Sequence, residues 1–227
     1  MALALCLAIA AAGGCKSKHS SPTGADTDFG SNDPAVVVAL GDSITFGVLD
    51  TNVETCDESN RNVGGFCPPL QSLTGKIVIN QGICGSTSYS GVNRIDGVLQ
   101  RWRPGVILID YGANDLIFGS AGAVIGNLRI MVDAARANGT VPVLGTLLPT
   151  AGPEEGRNPA IVSLNAQILD LCAELNLECA DHHAAFVKNK DFQDSPDALL
   201  SDDGLHPNHE GYALMADTWR GPLMRVY

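Results

Sequence analysis

Basic residues are scarce in this sequence. Lys and Arg together number 14 against 25 Asp and Glu, so the formal net charge is −11 at pH 7. A chain with this charge repels phosphate groups, and we therefore exclude nucleic acid and an anionic membrane surface as its main partners. No cluster of His, Cys and carboxylate residues has the spacing of metal ligands, so we expect no metal ion and no cofactor. Internal repeats are also absent, and 227 residues suffice for one sizeable core without a second domain.

Long apolar runs are absent except at the amino terminus. Residues 1–12 are almost entirely Ala, Leu and Ile, and they lead into Gly13-Gly14-Cys15. A run this short that ends in small residues is typical of a signal peptide rather than of a membrane-spanning helix. Small residues directly before a Cys resemble the lipobox of bacterial lipoproteins. We therefore predict a signal peptide over 1–14, Cys15 as a lipid anchor, and export to the periplasm or cell exterior, with ordinary secretion as the alternative.

The segment after this Cys has almost no apolar side chains. Residues 16–33 are rich in Ser, Asp, Gly and Thr. Such a segment cannot bury enough surface to fold by itself, so we predict that residues 15–33 form a flexible tether. The folded domain is then expected over 34–227, in contact with a membrane only through the lipid anchor.

Strand and helix patterns alternate along this domain. Short apolar runs predict five strands, at 36–40, 76–80, 106–109, 141–147 and 178–181. Apolar residues at helical spacing predict helices at 68–74, 91–101, 121–137, 160–175 and 208–219. This alternation is typical of βαβ units, and right-handed crossovers place helices on both faces of a parallel sheet. We therefore predict an α/β fold, a three-layer α/β/α sandwich with a five-stranded parallel sheet.

Export would make the cysteines candidates for disulfides. Beyond the first two, five remain: Cys56, Cys67, Cys84, Cys172 and Cys179. An odd number leaves at least one thiol unpaired within the chain. Sequence proximity favours the local pairs Cys56–Cys67 and Cys172–Cys179 and leaves Cys84 free. The alternative is that all five are buried free thiols.

Polar turns follow the first three predicted strands, and the carboxyl ends of parallel strands meet at one edge of the sheet. Ser43 follows the first strand in Gly-Asp-Ser, and Asp203 and His206 precede the last helix. A serine nucleophile needs a base, an orienting carboxylate and donors for the oxyanion. Ser43, His206 and Asp203 match the first three roles. The backbone N–H groups of Ser43 and Gly82 and the side chain of Asn114 are candidate oxyanion donors.

Each of these residues also has a plainer interpretation. Ser43 could cap a helix, and Asn114 could brace its own turn. Asp202 competes with Asp203 as the partner of His206. The other candidates are expected to be structural: Asp42 and Asp115 as turn-bracing carboxylates, and His182, His183 and His209 as surface or capping histidines.

Four short blocks resemble the SGNH hydrolases, also called the GDSL esterase/lipase family. They span 41–45, 80–85, 112–115 and 203–206. Cys84 stands where the family more often has a small hydroxyl residue. The resemblance implies a flavodoxin-like sandwich and assigns the catalytic Ser, Gly, Asn and His to Ser43, Gly82, Asn114 and His206, with Asp203 as the acid.

The resemblance also implies hydrolysis of carboxylic esters or thioesters. The two predicted loops at 51–65 and 149–159 are short, so we expect an open site and short-chain acyl esters, such as acetyl esters of carbohydrates or simple aryl esters. A lysophospholipase or acyl thioesterase of the same family is the alternative within enzymes. A catalytically silent carbohydrate-binding lipoprotein is the alternative from another class. The sequence leaves the oligomeric state open.

Overall fold

Five apolar segments form a parallel sheet in the computed structural model, which describes residues 27–227. The strand order is β2-β1-β3-β4-β5. The strands are β1 (Asp33–Gly41), β2 (Ile77–Gly82), β3 (Pro104–Asp110), β4 (Val141–Gly145) and β5 (Glu178–Ala180). All four neighbouring pairs are parallel, as predicted.

The central strand is apolar throughout because it is covered on both sides. Val37 and Ala39 point into one core, and Val38 and Leu40 point into the other; all four are fully buried. Side chains alternate along a strand, so a continuous apolar run requires a layer on each face. The predicted three-layer α/β/α sandwich is therefore confirmed.

Helices form the two outer layers and several connections. They are α1 (Ser43–Phe46), α2 (Cys67–Thr74), α3 (Ser88–Trp102), α4 (Ala113–Phe118), α5 (Val124–Ala137), α6 (Asn158–Leu175), α7 (His182–Lys188), α8 (Lys190–Asp194) and α9 (His209–Arg225). Side chains of α2, α7 and α9 pack on one face of the sheet, and those of α3, α5 and α6 pack on the other. Within residues 27–227, no helix is both long and apolar enough to cross a membrane.

The predicted elements are present, but their ends differ. The sequence does not predict four short helices, because four to seven residues are too few to show helical periodicity: α1, α4, α7 and α8. The expected loop at 149–159 is partly ordered: Gly152–Arg157 forms a 3₁₀ helix that leads into α6. Helix α9 continues beyond the predicted end at 219, through Pro222.

The last residues of the predicted tether lie against the domain. Thr27 Oγ1 donates a hydrogen bond to Val226 O at 2.6 Å, and the Phe29 ring stacks on Tyr227 with centroids 5.4 Å apart. These contacts bring the start of the described chain to the end of α9. The predicted signal peptide, the Cys15 anchor and the tether up to residue 26 lie outside the described residues.

The disulfide pairing differs from the predicted one. Cys56 is bonded to Cys84, with Cα atoms 6.3 Å apart, so the predicted Cys56–Cys67 pair and the free Cys84 are wrong. The predicted Cys172–Cys179 pair is also wrong, because both residues are free cysteines. The loop after α1 folds back onto the end of β2, where Arg61 Nη1 donates to Gly82 O at 2.7 Å. This long-range return of the loop brings Cys56 to Cys84, which proximity along the chain could not show.

The other cysteines in the described part of the chain are thiols. Cys67 begins α2 and is buried in the core, where burial raises the pKa of its thiol far above the usual range. Cys172 is buried in α6, and its thiol raises the pKa of the neighbouring Cys179 thiol on β5 far above the usual range. Cys67 is therefore enclosed by apolar neighbours instead of lying beside Cys56.

We predict that non-reducing peptide mapping of the full chain will recover Cys56 linked to Cys84. Closing a loop of 28 residues removes entropy from the unfolded chain, so reduction should lower the free energy of unfolding by about 3–4 kcal/mol. The substitution Cys179→Ser is the matched control and should leave the linkage intact. Recovery of a Cys56–Cys67 peptide would contradict this pairing.

His182 lies in the core, not at the surface as predicted. Its ring is fully buried and meets Trp219 edge-on, with centroids 4.7 Å apart. Neither ring nitrogen has a hydrogen-bond partner within residues 27–227, and burial lowers the pKa of this histidine to about 3. Glycine at 145 leaves the necessary space, because a Cβ there would lie 3.2 Å from His182 Cδ2.

The buried His182 should make stability depend on pH. The folded state keeps the imidazole neutral down to about pH 3, whereas the unfolded chain takes up a proton below its ordinary pKa of 6.5. Stability should therefore fall as the pH is lowered from 6.5, by up to about 1.4 kcal/mol per pH unit from this residue. Urea unfolding of wild type and His182→Leu across this range should show a shallower slope in the variant. Equal slopes would show that His182 does not contribute.

Candidate active site

Ser43 and His206 are in contact although 163 residues separate them. Ser43 Oγ lies 2.8 Å from His206 Nε2. Asp42 lies between the end of β1 and Ser43, the first residue of α1, and caps this short helix by accepting the Ile44 N–H at 2.9 Å. This turn fixes the Ser43 hydroxyl at the carboxyl edge of the sheet.

His206 is held from its other side by Asp203. His206 Nδ1 lies 2.6 Å from Asp203 Oδ2, and Asp203 Oδ1 accepts the N–H groups of Leu205 and His206, each at 3.0 Å. Burial raises the pKa of Asp203, but these hydrogen bonds outweigh burial and hold it below the usual value. Asp203 is therefore a carboxylate at neutral pH. Asp203, and not Asp202, is the aspartate that contacts the His206 imidazole.

The loop that carries these two residues is anchored at both sides. Ser201 N–H donates to His206 O at 2.8 Å, which closes the loop on itself. Ala151 N–H donates to Gly204 O at 2.9 Å, which ties the loop to the segment after β4. The imidazole therefore has a fixed position between Ser43 and Asp203. Chemically, this arrangement can move the Ser43 proton to His206 while Asp203 stabilises the resulting imidazolium.

Asn114 and Asp42 form a buried pair beside Ser43. Asn114 Nδ2 lies 3.1 Å from both Asp42 Oδ2 and Ser86 O. Burial raises the pKa of Asp42 to about 6, although hydrogen bonds from Ile44 and Asn114 oppose that rise. Asp42 thus braces its own turn as expected and also holds the side chain of Asn114.

Asp115 has a different role from the turn-bracing one expected. Its carboxylate accepts the Ser88 N–H at 2.8 Å and the Ser88 hydroxyl at 2.7 Å. Asp115 therefore ties α4 to the first turn of α3 and holds its own turn only through a longer contact of 3.3 Å from the Ser120 hydroxyl. The other two histidines fit their expected structural roles. His183 donates its backbone N–H to Thr146 Oγ1, and the exposed His209 ring contacts Asp50 at 2.9 Å.

Gly82 does not offer the predicted donor. Its N–H donates to Asn80 Oδ1 at 2.9 Å, and the residue is buried. A Cβ at this position would lie 2.2 Å from Phe46 N, so glycine is required by the packing of α1 on β2. The physical reason for glycine here is therefore contact with Phe46 and not approach to a ligand.

Gly85 has the free N–H that Gly82 lacks. It is exposed, has φ +71°, and its N–H has no hydrogen-bond partner in the part of the chain that the structure describes. Its turn lies against Asn114, whose amide contacts the Ser86 carbonyl. The Ser43 N–H is likewise free among residues 27–227. This block contains two glycines, and the second, rather than the predicted first, has the backbone conformation that favours glycine.

A small cavity adjoins these residues. The centre of a water molecule could occupy about 20 Å³ of it, so the cavity admits small groups. Its walls include Ile44 and Leu205, the chain neighbours of Ser43 and His206. Among residues 27–227 no group of three or more His, Cys, Asp or Glu side chains converges to hold a metal ion.

Comparison with known proteins extends these observations. The chain is 24% identical over 226 residues to a multidomain esterase from Ruminococcus flavefaciens (81% of this chain, 28% of that one). It is 39% identical over 74 residues to Esterase TesA from Pseudomonas aeruginosa (32% of this chain, 37% of that one). This chain therefore spans about a third of the length of the curated relatives it matches.

The solved structures show the same fold. A catalytic mutant of an acetylxylan esterase from Geobacillus stearothermophilus superposes with a TM-score of 0.66 at 20% identity, covering 83% of this chain and 93% of that one. The model of the GDSL-like lipase/acylhydrolase family matches residues 39–214, which contain Ser43, Asn114, Asp203 and His206. This match confirms the predicted resemblance, and the chain belongs to the GDSL-like lipase/acylhydrolase family, whose members are carboxylic ester hydrolases.

Proposed function

We propose that this protein is a serine esterase that hydrolyses short-chain acyl esters, with Ser43 as nucleophile, His206 as base and Asp203 as the orienting carboxylate. The observation that carries the proposal is the continuous contact from Ser43 Oγ through the His206 ring to Asp203, at 2.8 and 2.6 Å. A helix-capping serine would not need a histidine aligned on its hydroxyl.

The reaction follows from this geometry. Ser43 Oγ attacks the ester carbonyl carbon and passes its proton to His206 Nε2, while Asp203 stabilises the imidazolium. The tetrahedral intermediate collapses when His206 returns that proton to the leaving alcohol, which produces an acyl-Ser43 ester. Water then attacks the acyl group with the same histidine as base, and Ser43 is regenerated.

Three donors are proposed for the oxyanion: the N–H groups of Ser43 and Gly85 and the side-chain amide of Asn114. In the free protein Asn114 Nδ2 faces Asp42 Oδ2 and Ser86 O. A developing oxyanion carries a negative charge and accepts a stronger hydrogen bond than the neutral Ser86 carbonyl. Asn114 would therefore turn one hydrogen toward the oxyanion in the transition state, which is where donation accelerates the reaction.

The cavity lined by Ile44 and Leu205 supports a substrate with a short acyl group. Its wall is mostly apolar and includes Ile44 and Leu205, which suits a short acyl group, so we propose acetyl esters as the main substrates. The alcohol is proposed to be a small aryl alcohol or a carbohydrate, as in the acetylxylan esterase that shares this fold. A lysophospholipase or an acyl thioesterase would need a longer acyl groove.

We also propose export and anchoring of this enzyme through a lipid on Cys15. The apolar run before that residue and its preceding glycines support a lipoprotein signal. The bond between Cys56 and Cys84 is consistent with an oxidising compartment.

The esterase proposal is tested with p-nitrophenyl esters of graded chain length. We expect the acetyl ester to give the highest kcat/KM, and Ser43→Ala to lower kcat by about 10⁴–10⁶-fold because the nucleophile is lost. The control Ser163→Ala, at an exposed position on α6, should keep full activity. A near-normal rate in Ser43→Ala would contradict the covalent mechanism. Wild type that binds carbohydrate but hydrolyses no ester would support the silent binding protein, and a preference for long chains would support the other enzymes.

The oxyanion donors are tested first at Asn114. Asn114→Ala should lower kcat by about 10²–10³-fold with little change in KM, because the lost hydrogen bond is strongest in the transition state. The melting temperature is measured on the same sample, since this variant also loses contacts to Asp42 and Ser86. A destabilised variant with full activity per folded molecule would make Asn114 a structural residue only.

A second test of the oxyanion hole distinguishes Gly85 from Gly82 as the donor. After Ser43 is labelled with an aryl phosphonate, whose P–O⁻ group stands in for the oxyanion, the Gly85 amide signal should shift in the NMR spectrum by far more than that of Gly82. The Gly82 N–H is already bonded to Asn80 and therefore serves as the internal control. A large shift at Gly82 with none at Gly85 would reverse the assignment.

A further inference from the structure

The side chain of Arg94 contacts the ends of three neighbouring strands. Arg94 lies on α3, and its Nη2 donates to the carbonyl oxygens of Gly41 at 2.9 Å and of Gln81 at 2.7 Å. Its Nε donates to the Tyr111 hydroxyl at 3.1 Å. Gly41 ends β1, Gln81 is the last residue but one of β2, and Tyr111 follows β3 directly. One guanidinium group therefore joins the carboxyl ends of β1, β2 and β3.

These three strand ends lead into the turns of the candidate active site. Ser43 follows the end of β1, Gly85 follows β2, and Asn114 follows β3. Pairing between β1 and each neighbouring strand stops at Gly41, so the turns themselves are not held by the sheet. The contacts of Arg94 lie at this boundary, where a small shift of one strand end would move the nucleophile relative to the proposed oxyanion donors.

The position of the Arg94 guanidinium is itself supported by packing. The buried Tyr111 ring lies against α3 at Gly91, where a Cβ would come within 2.6 Å of Tyr111 Cε2. The guanidinium carbon lies 5.9 Å from the centre of the same ring. A larger residue at 91 would therefore displace the ring whose hydroxyl group Arg94 contacts.

Neither an ion pair nor an unpaired acceptor accounts for Arg94. In the part of the chain that the structure describes, no carboxylate forms an ion pair with its guanidinium. The Gly41 carbonyl already accepts the Ile83 N–H at 3.0 Å, so that oxygen would be satisfied without Arg94. What the guanidinium adds is a fixed link between β1, β2 and the segment after β3.

We propose that Arg94 is a positioning residue for the oxyanion hole, because it fixes the Ser43 turn relative to the turns that carry Gly85 and Asn114. Arginine suits this role because its planar group holds five N–H donors in fixed directions, whereas the lysine ammonium is a compact point charge on a flexible stem. A displacement of about 1 Å in an active site can cost about 100-fold in rate, so such a link affects catalysis without touching the substrate.

This role rests on the proposed esterase function and is tested with an aryl acetate and the full chain. Arg94→Ala should lower kcat per folded molecule by about 10–100-fold with little change in KM, because hydrogen bonds to the oxyanion are strongest in the transition state. The pH dependence of kcat should keep its midpoint, since Arg94 contacts neither His206 nor Asp203. Circular dichroism at the assay temperature gives the folded fraction.

Chemical rescue separates positioning from a purely structural role. Arg94 is partly buried, so methylguanidinium from solvent can enter the space that Arg94→Ala leaves and bind the same carbonyl oxygens. At millimolar concentrations it should restore part of the lost kcat, whereas sodium chloride at equal ionic strength should not. The control Arg101→Ala removes an exposed arginine from the same helix. It should keep the wild-type kcat and show no response to methylguanidinium.

A second variant decides the matter if Arg94→Ala does not fold. Arg94→Lys keeps the charge without the planar group and should also lose kcat at unchanged KM. Wild-type kcat per folded molecule in either variant would overturn the proposed role, as would a loss in Arg94→Ala that methylguanidinium does not restore. Absence of ester hydrolysis in the wild type would instead reject the proposed esterase function, so the two failures are distinguishable.

Discussion

The parallel direction of the strands is the constraint on which the site depends. Because β1, β2 and β3 are neighbours that run the same way, their carboxyl ends lie side by side at one edge of the sheet. That edge receives Ser43 after β1, Gly85 after β2 and Asn114 after β3. The loop with His206 ends no strand of the sheet, and it reaches the same edge through the Ala151–Gly204 hydrogen bond.

At that edge, the carboxyl group of Asp42 contacts both the turn that carries Ser43 and the proposed oxyanion donor Asn114. Asp42 caps α1 through one oxygen, which fixes the turn at Ser43, and contacts Asn114 through the other. The carboxylate is buried, and burial is costly unless hydrogen bonds replace water. Asp42 therefore holds the Ile44 N–H and the Asn114 amide in place, and these two groups stabilise its negative charge in return.

Sequence patterns correctly predicted the features that depend on residues close together in the chain. Alternating apolar runs located all five strands, and spacing in one loop placed Asp203 and His206 together. The errors concern contacts between distant segments: Cys56 with Cys84, His182 against Trp219, and Phe46 against Gly82. Gly82 and Gly85 look alike in sequence, and the backbone path alone shows which N–H is already bonded. Nor could composition show that a carboxyl oxygen of Asp110 is buried without a partner.

The hydrogen bonds at Asp42 also explain the protonation of a neighbouring carboxyl group, that of Asp110 at the end of β3. Two carboxyl groups on the wall of one small cavity disfavour a double negative charge, so one of them keeps a proton. Asp42 receives hydrogen bonds from Ile44 and Asn114 that favour its ionised form, whereas only burial and the Asp42 carboxyl act on the pKa of Asp110, and both raise it. The proton therefore stays on Asp110. The donors that build the nucleophile turn thereby keep the negative charge on Asp42 and leave Asp110 uncharged.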